Sequence, residues 1–422
     1  MGRRGDKERR GQGAGEMVEP MLSVEDALER VLREFHPLEP EPVPILDALG
    51  RVLAEDVRAD DDIPPYANSS MDGYAVLAAD TGGASHRNPI RLRCVGEVAA
   101  GYVPGTEVMP GTALRIMTGA PIPQGADGVV RVEDTETDGD WVEVLAGVKV
   151  GQYVRPAGED VRQGDLVLRR ETFVRPQEVG MLAALGRREV SVIRRPRVAV
   201  LATGDEVVEI DAPLAPGKIR NANSYSNAAQ VVKCGGIPIL LGIARDRAPE
   251  LTQKIQAGLE HGIDLFLTSG GVSMGDFDLV KNVLAAEGTI DFWKVRMKPG
   301  KPLAFGRIDG IPFLGLPGNP VSVMVSFEMF ARPAILKMLG LAELERSVVE
   351  ATLMDEVKHK DSRRHYLRVR VEQHEGAYRA YLTGEQGSGI LSSMVKANAL
   401  AIIPEEWTHA PAGARVRVVM LD

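Results

Sequence analysis

Between residues 197 and 339 the chain alternates short apolar runs with longer amphipathic stretches. That alternation restricts the fold more than any other feature of the sequence. Residues 198–201, 237–243, 263–267 and 311–316 read as buried strands, and 226–234, 249–261, 279–286 and 321–339 read as helices. Strands connected through helices run parallel, and such a sheet is covered on both faces. A mostly parallel sheet is expected here, with the loops that follow its strands gathered at one edge. Open sheets bind ligands at that edge.

The loop after the third strand says most about chemistry. Residues 263–278 read IDLFLTSGGVSMGDFD, an apolar strand feeding Thr268-Ser269 and Gly270-Gly271 and then a helix. Backbone N–H groups at such a turn face a positive helix start and attract anions. With no lysine in the loop it is not a Walker A motif. It carries Asp276 and Asp278, which suits a phosphorylated ligand held together with a divalent metal. The neighbouring loops are Thr203-Gly204-Asp205-Glu206, Asp246 in ARDR, and Leu316-Pro317-Gly318-Asn319-Pro320. Pro320 suits the first position of the helix it opens. Any one of these alone is most often a structural turn, but four at one sheet edge point to a site. Lys298-Pro299-Gly300-Lys301-Pro302, a surface turn in isolation, reads beside them as the cationic half of a phosphate or oxyanion site.

At 422 residues the chain exceeds one ordinary core, so roughly two to four domains are expected. The hydrophobic (44%) and charged (26%) fractions are those of a globular protein in water. A formal charge of −9 argues against a general nucleic-acid surface and leaves room for a local basic pocket. Cys94 and Cys234 give no disulfide framework, consistent with a reducing cytoplasm. The histidines show no paired spacing for structural zinc. No apolar run reaches the length of a membrane span. The basic opening MGRRGDKERRGQGAGEM lacks an apolar signal core and reads as a disordered, solvated extension.

Around the α/β region the texture changes. Ser23 and Asp26 resemble a capping box ahead of an amphipathic helix, which Pro37, Pro40, Pro42 and Pro44 end. A shorter helix is expected over 46–54. Short alternating runs at 90–98, 113–117, 128–132 and 141–144 make 63–155 β-rich, and a helix returns at 178–185. After Gly340, runs at 348–353, 366–371, 378–382, 399–403 and 416–421 predict a small antiparallel barrel or sandwich. The expected organisation is a multidomain α/β plus β chain. It comprises an extension over 1–20, a discontinuous helical and extended linker domain over 21–62 and 161–195, and an inserted β-rich domain over 63–160. A central α/β domain over 196–345 and a C-terminal β-barrel over 346–422 complete it.

Three motifs outside the α/β region mix carboxylates with small and hydroxyl residues: Ser69-Ser70-Met71-Asp72-Gly73-Tyr74-Ala75, Arg115-Ile116-Met117-Thr118-Gly119-Ala120 and Gly158-Glu159-Asp160. Arg368 and the Gly387-Ser388-Gly389 turn add possible anion contacts near the C-terminus. Taken in order with TGDE, SGGVSMGDFD, KPGKP and LPGNP, these motifs resemble the molybdopterin molybdenumtransferase family, relatives of the E domain of gephyrin. The resemblance runs from about residue 21 to the C-terminus.

The resemblance implies a cytoplasmic homodimer with four domains per chain. It also implies Mg²⁺-dependent insertion of molybdate into adenylylated molybdopterin, with release of AMP, in molybdenum cofactor biosynthesis. By motif position Asp72, Thr118, Asp160, Glu206, Asp246 and Asp278 become catalytic residues, with Glu206, Asp246 and Asp278 holding the metal. Thr203, Gly204, Ser269, Gly270, Gly271, Ser273 and Gly275, together with Pro317, Gly318, Asn319 and Pro320, become the molybdopterin and phosphate cradle. Lys298, Lys301, Arg368 and Ser388 become the molybdate ligands. Asp276 falls outside the matched positions and reads as a helix-start carboxylate. Asp361-Ser362-Arg363 stands where a glycine-containing turn is more usual in the family. The upstream molybdopterin adenylyltransferase is a possible partner, whereas nucleic acid and membrane are not. A tungstate-inserting homologue and a gephyrin-like peptide scaffold are the alternatives.

Overall fold

The computed structural model describes residues 21–245, 247–270 and 288–421. The chain divides into two compact units, one comprising Ile193–Asp422 with the residues up to Glu39, the other Pro40–Val192. The expected helix at 279–286 lies outside the described residues.

In the first unit the apolar runs form the strands they predict. Strand β1 (Arg197–Thr203) is buried from Val198 onward, as expected of a strand covered on both faces. It is followed by α2 (Ala222–Lys233), β2 (Ile237–Ala244), α3 (Ala248–Glu260) and β3 (Leu265–Ser269), α1 being the N-terminal helix Val24–Arg33. Strands β4 (Gly288–Lys294), β5 (Pro302–Ile308) and β6 (Ile311–Leu316) complete a six-stranded sheet of order β2-β1-β3-β6-β5-β4. The first four in that order pair in parallel, and β5 and β4 extend the sheet antiparallel. The sheet is therefore mixed rather than parallel to its edge. Its antiparallel part follows from Asp309-Gly310, which adopt positive φ values of 48° and 80° and close a two-residue hairpin.

Alternate residues of β1 feed opposite cores. Val198 and Val200 face a large cluster that includes Leu265, Leu314 and Phe327. Ala199 and Leu201 face a smaller one with Ile255 and Phe266. The long helix after LPGNP runs as Pro320–Ser326, a π-helical stretch Phe327–Ala331 and Arg332–Met338. Pro333 follows the widened turn and has no N–H to continue the regular ladder.

Helix α1 starts where Ser23 accepts a hydrogen bond from the Asp26 N–H at 3.0 Å. It lays Val24, Ala27 and Val31 into the same large cluster, and Arg307 pairs with Glu34 at its end. This helix thus packs with the α/β region, and Leu38 beyond it packs on the same cluster. Its apolar face decides the matter, because that face packs against the helical segments Phe327–Ala331 and Arg332–Met338. The C-terminal strands β7 (Val348–Leu353), β8 (Arg364–His374), β9 (Ala377–Leu382), β10 (Ala399–Ile403) and β11 (Arg415–Met420) close into a small barrel. The closure comes from β8 pairing with both β9 and β10.

The second unit holds a six-stranded sheet made from Gly73–Val76, Ile90–Val98, Thr112–Ile116, Gly128–Arg131, Thr135–Asp138 and Trp141–Val144. A separate core joins Leu53 and Val57, which precede this sheet, to Val174, Leu182 and Val192, which follow it. The helix expected over 46–54 does not form. One turn closes through Ala48 N–H to Pro44 O at 3.2 Å, then Gly50 turns left-handed at φ 74°. Val52 and Leu53 form bridges to Phe173 and Val192. Among the described residues no helix is long and apolar enough to cross a membrane.

The helix Pro176–Ala184 is capped by Glu178, whose carboxylate accepts from the Arg175 N–H at 2.8 Å and from its guanidinium. The Arg175 guanidinium holds this buried carboxyl down at about 2 against an ordinary 4.5. A depressed carboxyl stabilises the fold fully above its unfolded value and loses that contribution as pH falls through the folded value. Glu178→Gln is expected to cost about 1 kcal/mol at pH 7. In urea titrations the gap from wild type should shrink as pH falls below 4.5 toward 2.

Candidate active site

A cavity of about 720 Å³ opens at the carboxyl ends of the parallel strands, and all of its lining residues belong to the first unit. The strand register builds it. Ala202 is level with Ser269, and Ser269 with Leu316, so the loops after β1, β3 and β6 leave the sheet at one height. Gly270 turns there with φ 91°, its N–H donating to Leu316 O at 3.2 Å. A methyl at Gly270 would lie 2.7 Å from Thr203 O, so only glycine fits between the two loops. The Ser269 side chain is buried beneath it, and its Oγ makes no hydrogen bond among the described residues.

The described members of the expected cradle lie along one cavity. Thr203, Gly204, Ser269, Gly270, Pro317, Gly318, Asn319 and Pro320 all line the cavity, as do Glu206, Lys298, Lys301 and Ser388. Glu206 is exposed and its carboxylate folds back over Gly204, where a methyl would stand 2.6 Å from Oε2. The helix start at Pro320 offers anions less than the sequence suggested. Proline has no N–H, and the N–H of Val321 donates to Ser388 O at 3.0 Å. Asp246, Gly271, Ser273, Gly275, Asp276 and Asp278 lie outside the described residues.

The cationic lining differs from expectation: Arg220, at the end of a short strand, and Arg363 are added to it. Lys298 ends a two-residue strand, Met297–Lys298, that pairs in parallel with the beginning of β8. This carries it to the barrel side of the cavity. The turn behind it is tight: Gly300 has φ 105°, and a methyl there would meet Ser326 Oγ at 2.5 Å. Arg363 lines the cavity with Lys298 and Lys301, and Arg368 does not. Arg368 is 1% exposed. It points into the barrel wall, where its guanidinium donates to Ser393 Oγ at 3.0 Å and Gly387 O at 3.0 Å. Its backbone N–H donates to Gln386 Oε1 at 2.8 Å. Burial lowers its pKa to about 10, and the loop it organises, not its charge, reaches the site. The strand period explains the exchange, since an arginine inside β8 must face the barrel interior or solvent, whereas Arg363 precedes the strand.

Asp361 carries the opposite charge within this wall. Burial alone would raise its carboxyl. Hydrogen bonds from Arg363, His365 and Lys298 outweigh that and hold it well below the usual carboxylate range. His365 is lowered as well, but by burial, which the hydrogen bond to Asp361 only partly opposes.

Asp72 and Thr118 come together within the second unit. Both the N–H and the hydroxyl of Thr118 donate to Asp72 Oδ1 at 2.7 Å, and these bonds hold the Asp72 carboxyl below its ordinary pKa. Asp160 is exposed, with its N–H donating to Ile63 O. Sequence reading missed Asn221 and Asn223, which also line the cavity. Asn221 caps α2 by accepting from Ser224 N–H at 3.1 Å, and Asn223 Nδ2 donates to Gly318 O at 2.8 Å. The signal was present, because asparagine is a favoured helix cap. Starting the helix at residue 226 passed over it.

Three family models match the chain in order. The MoeA N-terminal region (domain I and II) covers residues 22–186, the probable molybdopterin binding domain 199–337, and the MoeA C-terminal region (domain IV) 350–421. A molybdopterin molybdenumtransferase of Nostoc sp. is 38% identical, with 95% of this chain and 94% of the relative covered. Molybdopterin molybdenumtransferase 2 of Mycobacterium tuberculosis is 36% identical over 94% of this chain and 99% of its own. A crystal structure of a molybdopterin biosynthesis MoeA protein from Pyrococcus horikoshii superposes with a TM-score of 0.83 at 33% identity. It covers 96% of this chain and 100% of that one.

Replacing Arg368 by Met should strand the carbonyls and hydroxyl it serves, costing about 1–3 kcal/mol. Amide hydrogen exchange should rise across residues 384–389. Weaker oxyanion binding with unchanged exchange would instead mark Arg368 as a direct ligand.

Proposed function

The chain belongs to the molybdopterin molybdenumtransferase family, and on that premise we propose how its cavity inserts molybdenum. The substrates are adenylylated molybdopterin and molybdate, and AMP leaves as the metal enters the dithiolene. One observation carries the reading: a single cavity sets glycine-turn loops and the carboxylate of Glu206 together with lysines and arginines. A ligand that is both phosphorylated and destined to meet a tetrahedral oxyanion calls for both.

Each wall has its work. The loops at Thr203-Gly204, Ser269-Gly270 and 317–320 bring backbone and small side chains close to a phosphate, because no bulk intervenes. Lys298, Lys301 and Arg363 hold the oxyanion by charge-assisted hydrogen bonds, with Ser388 beside them. Glu206 offers the hard oxygen donor that a divalent cation takes, and Asp246 and Asp278 are its proposed companions. Mg²⁺ there would neutralise charge developing on the pyrophosphate as its bond to AMP breaks. The dithiolene itself ligates molybdenum, so the protein needs no cysteine at the site. Asp72, Thr118 and Asp160 are proposed to serve the same reaction, with the homodimer as its setting. The linker and inserted domains in their expected divisions, the cytoplasmic location and contact with the upstream adenylyltransferase belong to the same proposal.

The test is AMP release from adenylylated molybdopterin, measured with Mg²⁺ and with molybdate or tungstate. Wild type should release AMP only when both cation and oxyanion are present. Glu206→Gln should lower turnover on the order of 100-fold while leaving pterin-nucleotide affinity nearly unchanged. Equal loss of binding and turnover would place Glu206 in substrate binding alone, and no oxyanion-dependent AMP release would refute the activity.

A further inference from the structure

Asp361 lies where two cations from different parts of the first unit meet. Its Oδ2 accepts from Lys298 Nζ at 3.2 Å and from the Arg363 guanidinium at 2.9 Å. Its Oδ1 accepts from Arg363 Nε at 3.2 Å and from His365 Nε2 at 2.9 Å. Lys298 approaches from the segment before β5, and Arg363 from the residue before β8. Both side chains are long, partly exposed at 45% and 24%, and mutually repulsive. Left to themselves they would separate and sample many rotamers.

The carboxylate is itself held from behind. His365 is 4% exposed. The His359 ring stacks on it with centroids 3.9 Å apart, and His359 Nδ1 bonds Asp361 O at 3.0 Å. Side chain and peptide of Asp361 are thus both fixed.

We propose that Asp361 is a positioning residue: it clamps Lys298 and Arg363 into one preset claw for the oxyanion. This rests on the reading of Lys298 and Arg363 given above. A carboxylate between two like charges offsets their repulsion and fixes the separation of their heads. Binding then avoids most of the ordering cost of two flexible side chains. His359, Asp361 and His365 also bring ligand-type atoms within 4.8 Å of one another, which raises the question of a metal. The bonding argues against one. Asp361 already accepts four hydrogen bonds, the capacity of a carboxylate, and a cation on Oδ1 would have to displace those from Arg363 Nε and His365.

Asp361→Asn keeps the shape and an acceptor for His365 while removing the charge, so it should fold. A thermal melt within a few degrees of wild type checks this. Its apparent KM for molybdate should rise roughly tenfold or more, with kcat at saturating molybdate and KM for the pterin nucleotide within about twofold. Asp361→Glu, which keeps the charge on a longer stem, should recover part of the loss. A fall in kcat with unchanged molybdate KM would overturn the proposal. So would micromolar Zn²⁺ binding that His359→Ala abolishes, which would make the cluster a metal site. Molybdate binding by equilibrium dialysis separates the levels. A wild type that neither binds nor turns over overturns the functional reading beneath the claw. A wild type that binds, matched by Asp361→Asn, overturns the claw alone.

Discussion

The level ending of three parallel strands is the constraint on which the site depends. Ala202, Ser269 and Leu316 stand in register, so three loops start from one line at the sheet edge. A slip of one residue in any strand would send its buried side chains to the wrong core and lift its loop off that line. Two unlike cores hold the register, because Val198 and Val200 fit the large cluster while Ala199 and Leu201 fit the small one. The packing that makes the sheet stable is thus the packing that aligns the ligand loops. Gly270 makes the tolerance small, since even a methyl there would collide with the neighbouring loop.

Legibility in the sequence followed how local the governing physics is. Strands 311–316, 348–353 and 399–403 were readable to the residue, because short apolar runs bounded by turn residues leave little choice. The antiparallel extension of the central sheet was missed although Asp309-Gly310 announces a hairpin. Attention to strand–helix alternation hid a local signal that broke it. Glu375-Gly376 closes a second such hairpin with φ values of 50° and 82°. The false helix over 46–54 failed for a non-local reason: Val52 and Leu53 find strand partners more than a hundred residues away, which no local pattern encodes.

The candidate site shows the same division. Loops at strand ends were recognisable because their composition is dictated locally, by glycine where the backbone must approach and proline where a helix begins. Which arginine reaches the cavity is decided by a strand register and a barrel closure. The sequence therefore pointed to Arg368, and Arg363 occupies the place. The exchange clarifies what each does. Arg368 spends its donors on carbonyls and a hydroxyl of its own loop and strand surroundings, shaping the segment that carries Gln386 and Ser388 into the wall. Arg363 keeps one edge on Asp361 and stands at the cavity.

A chain with net charge −9 gathers lysines and arginines along one cavity, and the two facts are compatible because charge acts at short range. Charges farther than about 8–10 Å apart are largely screened at physiological ionic strength, so the acidic surface neither greatly repels nor steers a ligand already inside the cavity. Among the described residues of the cavity, Arg220, Lys298, Lys301 and Arg363 outnumber the single carboxylate of Glu206. Asp361 takes one unit of charge out of that field, which weakens raw attraction for any anion. In the proposed clamp it fixes the geometry of what remains, which exchanges general anion affinity for preference by size and shape.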